Sequence, residues 1–372
     1  MKKLLIKASG ITNPLWRGYN SGVGRSTFLL LDAISKLDNI SFEIEVYANG
    51  ISSLGFKFNN WPFKHFSFPI PEKYGCKKTH MEPLFRKYFV KNDLFHIPHN
   101  LDSTYKGEKY VVTLHDVIGY DKAFQEHNDY EMNRWLEIAR NARGIVTCSN
   151  YSKCEIINKL NVDPEKVSVI YWGISLDKFH QESKNVTKQK LENIGIDFPY
   201  FISVSCAHPR KNIRTLLRAY REFAKSQPQH RLVLVWGNPP VDVLNEYSKE
   251  ISEKKIVFLN YVSDETLLSL YNGASVTLFP TLSEGFGFPI LESFACGTPV
   301  MTCRNTSLPE VGGDVALYVG ENDIDEMVDV MRLFENMEYD MEKFNISSKR
   351  LLDSFSWGHT ASEYIKFYNR YL

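Results

Sequence analysis

Short apolar runs alternate with stretches in which apolar residues recur every three to four positions, and the alternation persists along nearly the whole chain. A compact run of aliphatic and β-branched residues reads as a buried strand. Spacing at i, i+3, i+4 and i+7 reads as one face of a helix. On this basis strands are predicted in the first half at residues 3–7, 42–47, 94–97, 110–114, 144–147 and 167–170. In the second half they are predicted at 200–204, 231–235, 256–258, 275–279 and 300–302. Helical spacing lies between many of them, as at 25–37, 130–142 and 213–224. Strands alternating with helices imply parallel sheets covered on both faces. The polar, charged stretch 180–197 reads as a linker between two such units. Near the C-terminus Trp357, Ala361, Tyr364, Ile365, Tyr368 and Leu372 fall at helical spacing and form one apolar stripe. The stripe leaves open which unit that helix packs on.

A chain of 372 residues is long for one domain, and two domains are expected. Lys plus Arg equals Asp plus Glu, 44 each, which gives no support to general nucleic-acid binding. None of the six cysteines sits in a CxxC or Cys/His metal spacing, so free thiols in a reducing compartment are expected. His96 and His99 lack an evident third ligand, and no metal is assigned to them. The Leu4–Ile6 run behind Lys2 and Lys3 is too short for a signal peptide. No stretch approaches the roughly twenty apolar residues of a spanning helix. A cytoplasmic protein is expected, with peripheral contact at the inner face of the membrane left open.

The most informative chemistry is in residues 283–310, SEGFGFPILESFACGTPVMTCRNTSLPE. Glu284 follows an apolar run. Gly285, Gly287 and Pro289 come next, and Glu292 arrives eight positions after the first carboxylate. Proline is pre-organised for the first helical position. Free backbone N–H groups and a positive helix end therefore stand beside two carboxylates. A nucleotide sugar needs both: donors for its diphosphate and acceptors for its sugar hydroxyls. Two glutamates on a solvated face are the plain alternative.

Other positions add weight. Pro209, Arg210, Lys211 and Asn212 follow the first strand of the second half, at the end of a parallel strand where ligands bind. Cations at a helix start oppose the dipole, which points to a functional demand rather than a surface pair. His115 and Asp116 end the strand 110–114. Gly22 and Gly24 precede a helix expected near Arg25, but no third glycine follows, and no acid closes the second strand. A nicotinamide enzyme is disfavoured. Asp323 and Asp325 read as the acidic start of a helix, not a metal motif. Residues 57–91 carry eight basic residues against two acidic ones, a net of +6, interleaved with aromatics. Such a surface suits anionic lipid headgroups or a lipid-linked diphosphate acceptor, although the aromatics would serve a core equally well.

The block 283–310 resembles the signature of retaining glycosyltransferases of family 4: a glutamate, seven residues, a second glutamate, then Gly297-Thr298-Pro299-Val300 and Leu308-Pro309-Glu310-Val311. The resemblance is strongest over 200–319. It implies an α/β protein of the GT-B fold, with two Rossmann-like doubly wound domains facing across a cleft. The acceptor domain would span 1–180 and the donor domain 181–355, with a helix at 356–372 crossing back to the first. It implies catalytic roles for Lys211 at the leaving phosphate, Glu284 at the donor sugar and His115 beside the reaction centre. Donor contacts would come from Gly24, Arg210, Gly285, Phe286, Gly287, Val262 at the nucleobase edge and Glu292 at the ribose. Gly22, Arg25 and Asp116 would lie on the acceptor side. Ser149, Asn150 and Ser152 resemble the family's Ser-x-x-Ser step. Ser205 stands where a glycine is usual, and Cys206 where many members place a further phosphate-binding arginine. The site here would lean on Lys211 and Arg210, or borrow Arg25.

The implied activity is transfer of a hexose from a GDP- or UDP-linked donor to a glycan or lipid-linked acceptor in surface polysaccharide synthesis, without metal or other cofactor. The HDVI and SLPEV steps look most like polysaccharide or O-antigen mannosyltransferases, which favours mannose. A non-catalytic sugar-nucleotide-binding scaffold and a sugar-nucleotide epimerase are the alternatives.

Overall fold

The computed structural model describes residues 1–12, 22–50, 61–68, 81–100, 102–121, 129–205 and 208–372. Contacts among them divide the chain into Met1–Gly173 with Phe355–Leu372, and Ile174–Ser354.

The first unit is built on β1 (Lys3–Lys7), β2 (Glu43–Asn49), β3 (Lys64–Phe68), β4 (Leu94–Ile97), β5 (Tyr110–Thr113), β6 (Gly144–Thr147) and β7 (Val167–Val169). All are parallel, in the order β3-β2-β1-β4-β5-β6-β7. The second unit uses β8 (Tyr200–Ser205), β9 (Arg231–Trp236), β10 (Ile256–Leu259), β11 (Val276–Phe279), β12 (Val300–Cys303) and β13 (Leu317–Val319). These are also parallel, in the order β10-β9-β8-β11-β12-β13. Helices cover both faces, so β4, β5, β6, β11 and β12 are buried at every position and read as unbroken apolar runs. Every strand expected from the sequence is present within two residues of its expected ends.

Two strands escape a reading by hydrophobicity. β3, KHFSF, is an edge strand that opens on exposed Lys64 and His65. β13 has only three residues. The linker expected at 180–197 is corrected. It contains the helix Lys184–Glu192, and Glu182 accepts hydrogen bonds from Lys190 Nζ at 2.8 Å and Ser269 Oγ at 2.9 Å. The stretch belongs to the second unit. Its polar character is one solvated helix face, with Leu191 and Ile196 buried beneath.

The last helix, Trp357–Tyr371, packs within the first unit. Its apolar stripe lays Ala361, Tyr364, Phe367 and Tyr368 in the core. The Tyr368 hydroxyl meets His96 Nδ1 at 2.9 Å, His96 Nε2 meets Thr113 Oγ1 at 2.8 Å, and Thr113 meets the Tyr364 hydroxyl at 3.1 Å. This buried chain satisfies polar groups that would otherwise destabilise the core. The outgoing and returning segments pass closely at Gly173. A Cβ there would stand 2.1 Å from the Trp357 amide nitrogen, so only glycine fits.

In each sheet the chain order reverses beside the first strand, between β1 and β4 and between β8 and β11. The carboxyl ends of strands at such a reversal form the ligand crevice of open parallel sheets.

Candidate active site

The second unit's reversal brings two loops together. β8 leads towards the turn Pro209–Lys211, and β11 leads into residues 280–287. His208 caps the turn, its Nδ1 accepting from the Arg210 amide at 3.1 Å. Asn212 adopts left-handed φ 58° and lets the chain enter the helix Ile213–Phe223. The Leu282 amide donates to the Arg210 carbonyl at 2.7 Å, and Thr281 Oγ1 to the same carbonyl at 3.0 Å.

This backbone zipper sets the side chains. Lys211 Nζ lies 2.5 Å from Glu284 Oε1, and Arg210 Nη1 lies 2.8 Å from Glu284 Oε2. Thr281 Oγ1 donates to Glu284 Oε1 at 3.1 Å, and the Lys211 ammonium stands 5.3 Å from the centre of the Phe279 ring. Burial pushes the Glu284 carboxyl upward. The charges of Lys211 and Arg210, with their hydrogen bonds, outweigh burial and hold it below the usual carboxylate range.

The strand-to-helix turn is held from behind. Ser307 Oγ donates to the carbonyls of Glu284 and Phe286, both at 2.9 Å. Gly285, Phe286 and Gly287 are buried in this turn. Gly287 takes φ 112° at the N-cap of the helix Phe288–Ala295, with Pro289 in its first turn. Glu292 lies inside that helix, 4 % exposed, and accepts from the Tyr271 hydroxyl at 3.2 Å. Val262 follows β10, just before Ser263, which caps the helix Asp264–Gly273. Asp323 caps the helix Ile324–Glu335 by accepting from the Glu326 amide at 3.0 Å. Among the described residues no three His, Cys, Asp or Glu side chains converge as metal ligands. Cys206 lies outside the described residues.

The remaining sequence-derived positions belong to the first unit. The helix expected near Arg25 begins earlier, as Gly22–Ile34, so Gly22, Gly24 and Arg25 form its first turn rather than a loop before it. His115 is buried at the end of β5 and packs on Trp172 at 4.9 Å between ring centres. Its Nε2 donates to the Pro98 carbonyl at 2.9 Å, which fixes the tautomer and leaves Nδ1 as acceptor. Burial drives its pKa down to about 4 against that hydrogen bond, so the ring is neutral near pH 7. Asp116 Oδ1 accepts from the Ile118 amide at 3.1 Å. Ser149 caps the helix Asn150–Leu160 by accepting from the Ser152 amide at 3.1 Å.

Sequence reading missed Thr281, which bridges the two loops, and Asn100. Asn100 Oδ1 accepts from the His115 amide at 3.2 Å, and its Nδ2 donates to the Asp116 carbonyl at 3.3 Å. Neither is flagged by charge or spacing, since an isolated threonine or asparagine in a loop has many uses.

Solved structures share this fold. Sucrose-phosphate synthase from Thermosynechococcus elongatus superposes with a TM-score of 0.78 at 16 % identity, covering 100 % of this chain and 99 % of that one. Anabaena HepE in complex with UDP-glucose gives 0.72 at 16 % identity, with 100 % of both chains covered. The two parallel-sheet units give the chain the GT-B fold. Residues 21–178 match the family model described as Glycosyltransferase Family 4, and residues 186–350 the model described as Glycosyl transferases group 1; the chain belongs to this glycosyltransferase family.

Among curated relatives, O-antigen chain mannosyltransferase B of Escherichia coli is 29 % identical over 300 residues, covering 76 % of this chain and 74 % of that protein. O-antigen chain mannosyltransferase RfbU of Salmonella typhimurium is 28 % identical over 239 residues, covering 63 % of each. Serotype-specific mannosyltransferase WbdA of Escherichia coli is 27 % identical over 282 residues, 71 % of this chain but 34 % of that protein.

Proposed function

We propose that the protein is a retaining hexosyltransferase that moves mannose from a nucleoside-diphosphate donor to a glycan, free or lipid-linked, in surface polysaccharide synthesis. The observation that carries this reading is the Glu284 carboxylate gripped by both Arg210 and Lys211 at the second unit's strand-order reversal. The choice of mannose and of the pathway leans on the relatives named O-antigen mannosyltransferases.

The chemistry follows from charge. Without donor, Glu284 is the counter-ion for two cations. A donor diphosphate takes over Lys211 and Arg210, and the carboxylate is then released to accept hydrogen bonds from sugar hydroxyls. As the glycosidic bond to the diphosphate lengthens, positive charge builds on the sugar and negative charge on the leaving group. Fixed cations and the amides of 285–287 stabilise that charge without reorganising. The acceptor oxygen bonds to the anomeric carbon on the face the diphosphate leaves, and a phosphate oxygen takes its proton. Glu292 holds the ribose, and the Val262 backbone holds the base edge. In the first unit, neutral His115 offers Nδ1 as a hydrogen-bond acceptor.

A thermal-shift panel of UDP-, GDP- and ADP-sugars tests donor binding, because a ligand that binds only the native state raises its melting temperature. The anomeric configuration of the transfer product, read by NMR, tests retention. No shift with any sugar nucleotide, or an inverted product, overturns the reading.

A further inference from the structure

Thr306 has an unusual backbone. Its φ is 48°, in the left-handed region, and among the described residues no other β-branched side chain is found there. Glycine and asparagine enter that region at little cost, whereas a branched Cβ is strained in it. Such strain persists only where the surroundings impose it, and it concentrates at working sites. The surroundings here are a clamp on the loop that carries Glu284. Residues 305–307 follow β12, and their side chains bond to residues 281–286, which follow β11. Asn305 Nδ2 donates to the Thr281 carbonyl at 3.2 Å and to Glu321 Oε1 at 2.6 Å. Ser307, fully buried, donates to the Glu284 and Phe286 carbonyls. Held between these two anchors, Thr306 turns its hydroxyl to the Glu284 main chain. Its Oγ1 accepts from the Glu284 amide at 3.3 Å and donates to Asn305 Oδ1 at 3.3 Å. Glycine would take the same backbone without strain, but it would remove this acceptor.

We infer that Thr306 is a positioning residue: its strained backbone aims a hydroxyl that fixes the Glu284 main chain, and so the reach of the Glu284 carboxylate toward a donor sugar. It acts through Glu284 and is not itself a sugar contact. The inference rests on the reading of Glu284 as the group that accepts from the sugar hydroxyls. Lys211 and Arg210 hold the carboxylate through charge. Once a diphosphate takes over those cations, the carboxylate keeps only Thr281 Oγ1, at 3.1 Å, and the placement of its own main chain. Asn305 holds Thr281 and Thr306 holds the Glu284 amide, so one segment controls both. A carboxylate displaced from its place loses charge-assisted hydrogen bonds to the sugar, while the cations go on binding the diphosphate.

The test is titration calorimetry of the purified full chain with GDP-mannose and UDP-glucose, and with bare GDP and UDP. The readout is the ratio of affinity for the sugar nucleotide to affinity for its nucleoside diphosphate. A merely structural role would lower both affinities together and leave the ratio alone. Thr306→Gly and Thr306→Val lack the hydroxyl and lose about fivefold or more of the ratio, while each binds the bare diphosphate as the wild type does. Thr306→Ser keeps the hydroxyl and retains most of the ratio. Glu284→Ala loses at least as much as Thr306→Gly, and Thr306→Gly/Glu284→Ala loses no more than Glu284→Ala, since both changes act through one carboxylate. Without nucleotide, Thr306→Gly melts no lower than the wild type because strain is relieved, whereas Thr306→Val keeps the strain, loses the bond and melts lower. If the wild type binds none of the four nucleotides, or Glu284→Ala keeps the wild-type ratio, the donor reading of Glu284 fails and the inference fails with it. If Glu284→Ala loses the ratio while Thr306→Gly and Thr306→Val keep it, the donor reading stands and the positioning role is overturned. An equal loss in Thr306→Ser, a further loss in the double variant, or a Thr306→Gly protein that melts well below the wild type overturns it as well.

Discussion

Lys211 and Glu284 are 73 positions apart in the chain and 2.5 Å apart in space. Neither comes from a strand. Each sits in the loop beyond one of the two neighbouring strands where the order of the second sheet reverses, and hydrogen bonds to the Arg210 carbonyl from the Leu282 amide and Thr281 Oγ1 fix their spacing. With Arg210 included, two positive charges face one carboxylate. The cluster is therefore short of one negative charge, which a diphosphate supplies.

Removing either member of the pair costs turnover. Lys211→Ala and Glu284→Ala each lower kcat by about a hundredfold or more, the size of a lost electrostatic stabiliser. The two differ in the folded protein. Glu284→Ala removes the carboxylate that Arg210 and Lys211 share and leaves their positive charges closer to mutual repulsion, so its melting temperature falls further than that of Lys211→Ala. Adding nucleoside diphosphate restores more of the loss in Glu284→Ala, because phosphate replaces the missing carboxylate. Steady-state kinetics and melting curves with and without nucleotide decide this. A folded variant with near-wild-type turnover refutes the assignment.

Acid weakens the fold in two windows. His115 is pushed down to about 4 and His96 to about 3, both mainly by burial, while an unfolded histidine titrates near 6.5. Between about pH 6.5 and 4 the unfolded state therefore binds more protons than the native one, approaching about two, and stability drops as pH falls. Glu284 acts lower down. Its carboxyl is held below the usual range, so the stability it contributes is present above about pH 4.3 and is lost as pH falls through its native pKa. His96→Gln flattens the upper window and Glu284→Gln the lower one. Melting temperature measured from pH 3 to 8 for the three proteins separates them, and identical profiles reject the account.

The sequence made the strands legible because most are buried on both faces, and β-branched runs such as Tyr110–Thr113 have no other reading. It made Glu284 and Lys211 legible through glycine, proline and charge at the ends of those runs. It could not reveal that they touch, because contact across a reversal depends on strand order, which local pattern does not encode. Residues 180–197 misled for a related reason. With few buried positions, one amphipathic helix is indistinguishable from a polar linker by composition. Arg86 misled in the other direction. Counted as surface charge, it is a buried clamp, since local pattern does not show that Glu108 and the Phe95 ring, both outside its helix, neutralise and cover it.

Gly287 is held at φ 112°, and a Cβ there would approach Leu308 Cδ2 to 3.2 Å. Gly287→Ala therefore destabilises the protein by about 1–3 kcal/mol through backbone strain. Trimming the neighbour in Gly287→Ala/Leu308→Ala does not rescue it, since the strain is in the main chain and the second change adds a cavity. Chemical denaturation of the single and double variants measures this. Full recovery in the double variant would mean that side-chain crowding, not φ, governs the position.

The C-terminal helix is tied to the first sheet by a polar link as well as by its apolar stripe. Tyr368→Phe deletes the hydroxyl that meets His96 Nδ1 at 2.9 Å and leaves a fully buried ring nitrogen without that partner. The cost is about 1–3 kcal/mol, the desolvation of an unsatisfied polar group rather than the net worth of one hydrogen bond. Replacing both partners, as in His96→Phe/Tyr368→Phe, removes the orphaned nitrogen. The double variant then loses less stability than the sum of its single changes, a positive coupling that a double-mutant cycle reads directly. Strict additivity would show that Tyr368 stabilises this helix by packing alone, with its ring in the core and its hydroxyl idle.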